Sequence, residues 1–428
     1  MDEAFHSHPS TPVGAQRSND PNADILFVRG EGVYLWDAEG RRYLDFVSGY
    51  SSTTFGHCHP QLVKAATDQL SMLTQIVGLK HPWRKELEAR LAQLAPTPAP
   101  VKTWLATSGA RAVEIAWKIA YAFRPGLLVA FDLAYHGRSM ATGQISDTHR
   151  LPILSTQSDR HLPFPRCSEC PVGLQPKTCN AECIDDSEGW IDENASKLSA
   201  IIVEPAIGAR GYFYAPPQFF QRLQTAARRY GILLIDDEIQ MGLGRLGGVF
   251  AAKMQGWEPD LAILGKSLGG GIVPIAAVIG RSAIMDSLPE GYESETFAAN
   301  PLACRLALES LDLLIRDRML DRTHLISSWI DSGLRSLQKK SKHPIRVDCQ
   351  GASGVIEILQ SPNKTDSNDP NDLSTPQTIA RRWVMQARDS GLLLQLSGPQ
   401  RNRIILIPPL VAEEHHIRHA FNILRKIN

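Results

Sequence analysis

A lysine and a carboxylate in this sequence stand where both could act on one cofactor. Lys266 follows the apolar run Leu261–Gly265 and precedes the glycines at positions 269, 270 and 271. A second apolar run, Ile232–Ile235, ends upstream in an acidic stretch that contains Asp237. A lysine amine can form a Schiff base with the aldehyde of pyridoxal phosphate (PLP), and a carboxylate at a neighbouring strand end can keep the pyridine nitrogen protonated. The two residues predict a PLP site, whereas a surface lysine before a flexible glycine loop is the alternative interpretation.

A short segment before a predicted helix could hold the phosphate of such a cofactor. Between a predicted strand, Val101–Ala106, and a predicted helix, Arg111–Phe123, the chain contains Ser108, Gly109 and Ala110. Free backbone N–H groups and the helix dipole favour an anion at a helix start. An ordinary N-cap by the serine is the alternative. The phosphate role is preferred because of the position of this segment relative to the lysine.

The residues around Asp237 resemble a known family. Asp237–Arg245 reads DEIQMGLGR and resembles the DEVQTGFGR signature of the class III aminotransferases. Further matches follow in the family's order: GHCHP at 56–60, SGA at 108–110, YHG at 135–137, EP at 204–205 and NPLA at 300–303. The resemblance runs from about residue 30 to about residue 415 and is nearest in appearance to the 2,2-dialkylglycine decarboxylase branch. It implies a fold-type I, PLP-dependent homodimer with Lys266 as the Schiff-base residue.

The same resemblance assigns further positions to the cofactor site. Tyr135 stands where the family places an aromatic ring over the pyridine face, with a core tyrosine as the alternative, and His136 follows it. Glu204 matches a carboxylate at a strand end, and Gln240 matches a residue near the phenolic oxygen of the cofactor. Thr296 matches a threonine that reaches the phosphate of the neighbouring subunit. A complete site would therefore need a dimer.

The positions expected to bind substrate depart from the family pattern. Members usually carry an arginine in the strand before a Pro-Pro-Leu sequence, where it forms a bidentate pair with the substrate carboxylate. In this chain Ile405 stands at that position. We therefore expect weak binding of 2-oxoglutarate and recognition either through a group other than a carboxylate or through a relocated cation. The candidates are Arg138, Arg210 and Arg403, with Tyr50 as a further substrate residue, and surface or interface roles are the alternative.

Four of the seven cysteines form a C-x2-C-x8-C-x3-C cluster in a proline-rich segment. They are Cys167, Cys170, Cys179 and Cys183. In an intracellular chain, four close thiolates favour a structural tetrahedral zinc site over disulfides. Free or reversibly paired cysteines are the alternative.

The pattern of apolar runs predicts an α/β protein with two domains. Runs with little polar alternation, at 201–203, 232–235, 262–264 and 276–279, are typical of buried strands in a mainly parallel sheet. Helices are predicted at 302–315, 325–337, 378–387 and 415–427, and strands at 33–36, 43–45, 354–359 and 403–407. The predicted bounds are a flexible tail at 1–23, a large PLP-binding domain at 59–300 with a cysteine loop at 163–186, and a smaller α+β domain built from both termini, at 24–58 and 301–428.

Composition narrows the classes of partner. The 45 basic and 45 acidic residues cancel, so no overall charge favours nucleic acid or an anionic membrane. The first twenty residues lack the basic start and apolar core of a signal peptide, and no segment has the apolar length of a membrane span. A cytoplasmic enzyme acting on small molecules is expected.

These observations together predict a PLP-dependent aminotransferase that moves an amino group between an amine or amino acid and a keto acid. Decarboxylation-dependent transamination and racemisation or epimerisation at the α-carbon are alternatives, because the placement of the substrate carboxylate decides which bond breaks. A non-catalytic protein of the same fold, or a metal-stabilised scaffold, is disfavoured by the presence of Lys266, Asp237 and the phosphate segment.

Overall fold

The computed structural model describes residues 20–147, 161–175, 178–361 and 374–428. Most of the predicted tail, residues 1–19, lies outside this part of the chain. The described residues form a mixed α/β structure with one large sheet and three smaller ones.

The large sheet has the strand order β4-β11-β10-β9-β6-β5. Neighbours from β10 through β9 and β6 to β5 run parallel, while β11 runs antiparallel to both β10 and β4. Every residue of the three central parallel strands is buried, which explains why their sequences are mainly apolar apart from Ser199 in β6 and the two aspartates that end β9. The strands are β4 Val101–Ala106, β5 Leu127–Val129, β6 Leu198–Val203, β9 Leu233–Asp237, β10 Leu261–Leu264 and β11 Ala276–Arg281.

Helices cover both faces of this sheet. Alternate residues of β6 enter two different apolar clusters: Ile201 packs with Phe219 of α7, and Ile202 packs with Ile115 of α4. This arrangement follows from the two-residue period of a strand. The helices around the sheet are α2 Pro60–Leu70, α3 Pro82–Leu94, α4 Gly109–Phe123, α5 Thr142–Ile145, α6 Asp185–Asn194, α7 Pro217–Arg229, α8 Ala251–Gln255 and α9 Ser282–Met285.

Strands from the two ends of the chain share one small sheet. Its order is β1-β2-β3-β14, and β14 pairs parallel with β3. A second small sheet, β12-β13-β16-β15, is antiparallel throughout, and β7 with β8 forms a separate hairpin. The strands are β1 Phe27–Glu31, β2 Tyr34–Asp37, β3 Arg42–Asp45, β7 Ala206–Ile207, β8 Phe213–Tyr214, β12 Ile345–Gln350, β13 Ser353–Ile358, β14 Leu392–Leu393, β15 Gln395–Ser397 and β16 Arg403–Leu406.

The remaining helices are α1 Ser48–Ser51, α10 Pro301–Ile315, α11 Met319–Lys340, α12 Pro376–Asp389 and α13 Glu414–Ile427. The α/β class and the mainly parallel sheet predicted from the sequence are confirmed, whereas the residue numbers given for the domain bounds stay predictions. Among the described helices, none combines the length and the apolar character that a membrane span requires.

Candidate active site

The carboxyl ends of three parallel strands open onto one cavity of about 400 Å³. Glu204 follows β6, Asp237 ends β9, and Lys266 comes shortly after β10. In parallel sheets this edge is the usual place for a ligand. We name this cavity the cofactor pocket. Its lining consists of Gly109, Ala110, Tyr135, His136, Gly137, Arg138, Ser139, Glu204, Asp237, Ile239, Gln240 and Lys266.

The Lys266 amine is directed by a neighbouring amide. Its Nζ donates a hydrogen bond to Gln240 Oε1 over 2.7 Å. Burial lowers the pKa of Lys266 to about 8, against the opposing charges of Glu204 and Asp237. The lysine backbone has a φ of 45°, a left-handed conformation that is costly for a residue with a side chain. The fold therefore holds a partly neutral amine at a fixed place in the pocket.

Asp237 and His136 form a buried pair. The Nδ1–H of His136 donates to Asp237 Oδ2 over 2.7 Å, and the backbone N–H of Ile239 donates to Asp237 Oδ1 over 3.1 Å. The other ring nitrogen, His136 Nε2, is buried and has no hydrogen-bond partner among the described residues. The pair thus fixes the position of the Asp237 carboxylate at the end of β9.

Glu204 organises the backbone around the pocket. Its Oε1 accepts from the Tyr135 N–H over 2.8 Å, and its Oε2 accepts from the Gly208 N–H over 3.2 Å. Burial raises the pKa of Glu204 to about 7, and the charge of His136 opposes that rise. This carboxyl group holds the backbone beside the pocket.

The geometry of the segment before α4 is compatible both with phosphate binding and with an ordinary N-cap by Ser108. Ser108 is the N-cap of α4 and accepts a hydrogen bond from the Arg111 N–H at its Oγ over 3.2 Å. Gly109 and Ala110 line the cofactor pocket at the start of that helix. A side chain at position 109 would meet Ile239, because a Cβ there would lie 2.9 Å from its Cδ1 atom. The pocket wall therefore presents backbone at the end of the helix that favours an anion.

A second cavity, of about 560 Å³, adjoins the first. We name it the substrate chamber. It shares Tyr135, Arg138, Gln240 and Lys266 with the cofactor pocket, and it is also lined by Tyr50, Arg210, Gln395 and Arg401. No aspartate or glutamate belongs to its lining among the described residues. The chamber therefore favours an anionic group close to the lysine.

Three predicted substrate or cofactor residues lie away from both cavities in the described chain. Ile405 is fully buried in an apolar cluster with Tyr212 and Val355. Arg403 is buried and donates from its Nη1 to the Glu357 carboxylate over 2.8 Å. Thr296 is exposed, and its carbonyl oxygen accepts from Gln75 Nε2 over 3.1 Å.

The cysteine segment lies near the charged residues of β12 and β13, because its Glu169 pairs with Arg346 over 3.4 Å and Arg346 also pairs with Glu357 over 3.2 Å. Burial, together with the nearby Cys183, Cys179 and Cys170, raises the pKa of the Cys167 thiol to about 11. All of these thiols are free. No group of three or more His, Cys, Asp or Glu side chains in the described chain could hold a metal ion. The predicted zinc site therefore finds no support.

Gln395 and Arg401 are among the chamber residues that were absent from the sequence-based prediction. Gln395 comes from β15, a strand of three residues, and Arg401 comes from the turn after it. Neither belongs to a motif, and a strand this short has too few residues to show a period. Only the tertiary structure brings them to the lysine.

The comparisons with known proteins agree with this geometry. The sequence profile of the family described as aminotransferase class-III matches residues 15–427. This chain belongs to the class III aminotransferases. PLP is the cofactor of that family, and the chain is a PLP-dependent aminotransferase.

The relatives cover nearly the whole chain. It is 34% identical to 4-aminobutyrate aminotransferase GabT of Escherichia coli (strain K12), covering 94% of this chain and 92% of that protein. It is 30% identical to acetylornithine aminotransferase of Aquifex aeolicus (strain VF5), covering 96% and 98%. The solved ornithine aminotransferase of Toxoplasma gondii has a TM-score of 0.77 at 28% identity, covering 94% and 90%. The PMP-bound aminotransferase from Vibrio fluvialis, with a TM-score of 0.84 and 22% identity, shares the fold.

The cofactor pocket fits PLP on its own residues. It offers an amine for the aldehyde, a buried carboxylate for the ring nitrogen and a helix start for the phosphate. The unpartnered Nε2 of His136 gives the pocket a further polar atom that a ligand could satisfy.

Proposed function

We propose that Lys266 bonds to PLP and moves the proton at the substrate carbon while this enzyme transfers an amino group between an amine or amino acid and a keto acid. The observation that carries the proposal is the position of the Lys266 amine, which shares one cavity with Asp237 and is held 2.7 Å from Gln240 Oε1. When bound, PLP supplies an aldehyde for the amines and a ring that accepts electrons from the substrate carbon.

The acid–base work falls to the Lys266 amine. A group transfers protons best when its pKa lies near the working pH. With a pKa near 8, the amine exists in both charge states around neutrality. It can therefore accept a proton at Nζ from the substrate carbon and release that proton again without leaving the pocket.

Asp237 would keep the cofactor ring protonated. The hydrogen bonds from His136 and from the backbone N–H of Ile239 orient its buried carboxylate. Gln240 joins this framework on the lysine side, because its Nε2 donates to the Tyr212 hydroxyl over 2.9 Å while its Oε1 accepts from Lys266. Asp237 and Gln240, which would both contact the cofactor ring, are thus fixed before substrate enters.

A homodimer would complete the phosphate end of the pocket with Thr296 from the partner subunit. Large apolar side chains are exposed in the segment 292–297, which contains Thr296, and in the segment 70–79. Such exposure is typical of a protein interface. The hydrogen bond between Gln75 and the Thr296 carbonyl joins the two segments. The cytoplasmic location stays a prediction from the sequence.

Replacing the lysine tests the proposal. Lys266→Ala should lower turnover by about 10⁴-fold or more, because both the covalent attachment and the proton transfer are lost. The variant should keep the far-UV circular dichroism of the wild type and still bind PLP reversibly. Borohydride reduction of the wild type, followed by peptide mapping, should label Lys266. A label on any peptide that lacks this residue would refute the assignment.

A further inference from the structure

β16 is the strand in which the family carries its carboxylate-binding arginine, and in this chain the side chains around that position are mostly apolar. Ile405 pairs directly with Val355 on one side and with Gln395 on the other. Directly opposed residues in antiparallel strands project to the same face of the sheet. The row is therefore apolar except for Gln395, whose Oε1 is buried and has no hydrogen-bond partner among the described groups.

An arginine lies on the same face two residues earlier. Residues two apart in a strand share a face, so Arg403 projects to the side of Ile405, between Glu357 and Ser397. Its charge is taken by Glu357, at 2.8 Å from Nη1, and its guanidinium lies 4.1 Å from the ring centre of Phe213. Arg403 is therefore committed to the protein.

Arg403 also donates hydrogen bonds to the turn between β7 and β8. Its Nε donates to the Gly211 carbonyl over 2.8 Å, and its Nη2 donates to the Tyr212 carbonyl over 3.3 Å. The same turn is fixed at Ala209, whose carbonyl accepts from Ser397 Oγ over 3.1 Å. Gly211 has a φ of 125°, and a Cβ there would lie 2.9 Å from the Arg403 side chain, so the close approach needs glycine.

The residue between these fixed points is Arg210. It lines the substrate chamber together with Lys266. Its Nε is buried and finds no hydrogen-bond acceptor in the described chain. A buried donor without a partner is costly, and charged donors more so, which makes the site favourable for an anion.

The other chamber arginines have partners of their own. The guanidinium of Arg138 lies 5.6 Å from the ring centre of Tyr135, and Arg401 also takes part in an interaction. Arg210 is the chamber arginine whose Nε is buried without an acceptor in the described chain.

We propose that Arg210 binds the carboxylate of the amino acid or keto acid, and that Arg403, held by Glu357, positions the turn that carries it. The proposal rests on the function proposed above and names its specificity residue. In this chain the arginine on the strand supports the turn, and an arginine on the turn meets the substrate.

Matched substrates isolate the carboxylate contact. The amino acid that gives the fastest single-turnover change in cofactor absorbance is compared with the amine in which a methyl group replaces its carboxylate, as alanine is compared with 2-aminopropane. Arg210→Gln should lower the rate constant at low substrate with the amino acid by about tenfold or more, and leave the rate with the amine within about twofold. Arg210→Lys should lie between the two, because it keeps the charge and loses the fork of donors.

An equilibrium readout separates binding from chemistry. Calorimetric titration of the PLP-loaded enzyme with glutarate and with propanoate should give a Kd that rises about tenfold or more in Arg210→Gln. Arg335→Gln is the matched control, since Arg335 is exposed, pairs with Asp331 and lies on α11 outside both cavities. It should change neither readout.

Arg403→Lys tests the positioning role. It should raise KM for the amino acid while leaving kcat, the amine reaction and the cofactor absorbance near wild type, because only the turn is displaced. A merely structural loss would instead lower kcat, the rate of the amine reaction and the cofactor absorbance together.

Several results would overturn the proposal. They are equal losses with amino acid and amine in Arg210→Gln, no detectable carboxylate binding by the wild type, or reaction of the wild type with amines but with no amino acid. Failure of the proposed function looks different, because then neither substrate would change the cofactor absorbance and reduction would not label Lys266.

Discussion

The cofactor pocket and the substrate chamber share Lys266 but differ in how their charges are arranged. In the pocket, Asp237 is paired with His136, and Glu204 accepts two backbone N–H groups. In the chamber, arginines line the wall, no described acidic side chain does, and the Nε of Arg210 has no partner. One cavity is internally balanced, whereas the other is left with an excess of positive charge.

This difference matches what each cavity has to bind. The pocket receives the same cofactor in every cycle, so its polar groups can be paired in advance and held rigid. The chamber must admit two different substrates in turn, and an unpaired cation gives affinity for whichever carboxylate enters. The comparison predicts that changes in the pocket affect all substrates, whereas changes in the chamber affect substrates selectively.

The largest test of that distinction is the charge of Asp237. Asp237→Asn should lower kcat by at least about a hundredfold, or about 2.7 kcal/mol in the barrier, with amino acids and amines alike. The reason is that the ring nitrogen would lose its anionic partner and accept electrons less well. Steady-state kinetics with two carboxylated and two uncharged donors would measure it.

The neighbouring acid supplies a matched control for this prediction. Asp236 is fully buried, and burial followed by the charge of Glu238 raises the pKa of its carboxyl well above the usual range. Asp236→Asn should therefore replace a readily protonated group by a neutral one and keep activity within about threefold. If the Asp236 variant were impaired more than the Asp237 variant, the assignment of Asp237 as the partner of the ring nitrogen would be wrong.

A smaller effect is expected where the cofactor pocket meets the partner subunit. Thr296→Ala should weaken PLP affinity by about tenfold or more, because a hydrogen bond to a charged phosphate is lost. At a PLP concentration that leaves Thr296→Ala largely unloaded, mixing this variant with Lys266→Ala should restore activity, since one site of each hybrid dimer receives both wild-type residues. The measurement is activity after subunit exchange, with hybrid formation followed by native mass spectrometry. No recovery in confirmed hybrids would mean that each pocket is built from a single chain.

The parts of the fold that could be predicted from the sequence are those with long or unbroken patterns. The apolar run at 262–264 lies in β10, and the predicted helix at 302–315 matches α10, Pro301–Ile315. By contrast, α7 was missed, although its buried residues Phe219, Phe220, Leu223, Ala226 and Ala227 recur at the spacing of an amphipathic helix. That spacing, and not an unbroken apolar run, marks a half-buried helix. The hairpin of β7 and β8 was missed because each strand has two residues.

The site divides in the same way. The sequence placed Lys266 and Asp237 together because both stand at strand ends, and the ends of parallel strands meet at one edge of a sheet. The family resemblance added Gln240. It could not show that Ile405 would face an apolar cluster or that Arg403 would bind Glu357. Those outcomes depend on pairing among β13, β15 and β16, and a register between distant strands is not written in local spacing.

The smallest expected effect sharpens the contrast at the residue that both cavities share. Only the deprotonated amine of Lys266 can attack the PLP aldehyde. Burial lowers the pKa of this amine to about 8. The deprotonated fraction therefore rises from about one tenth at pH 7 to about nine tenths at pH 9. The rate of covalent PLP attachment to the cofactor-free protein, followed by stopped-flow absorbance, should therefore rise about tenfold over that range. Because the charge of Glu204 raises the lysine pKa, Glu204→Gln should move the midpoint to lower pH, while Arg210→Gln in the chamber should leave it in place. An Arg210 variant that moves the midpoint more than the Glu204 variant does would show that the chamber charges govern the lysine, and the separation between the two cavities would be lost.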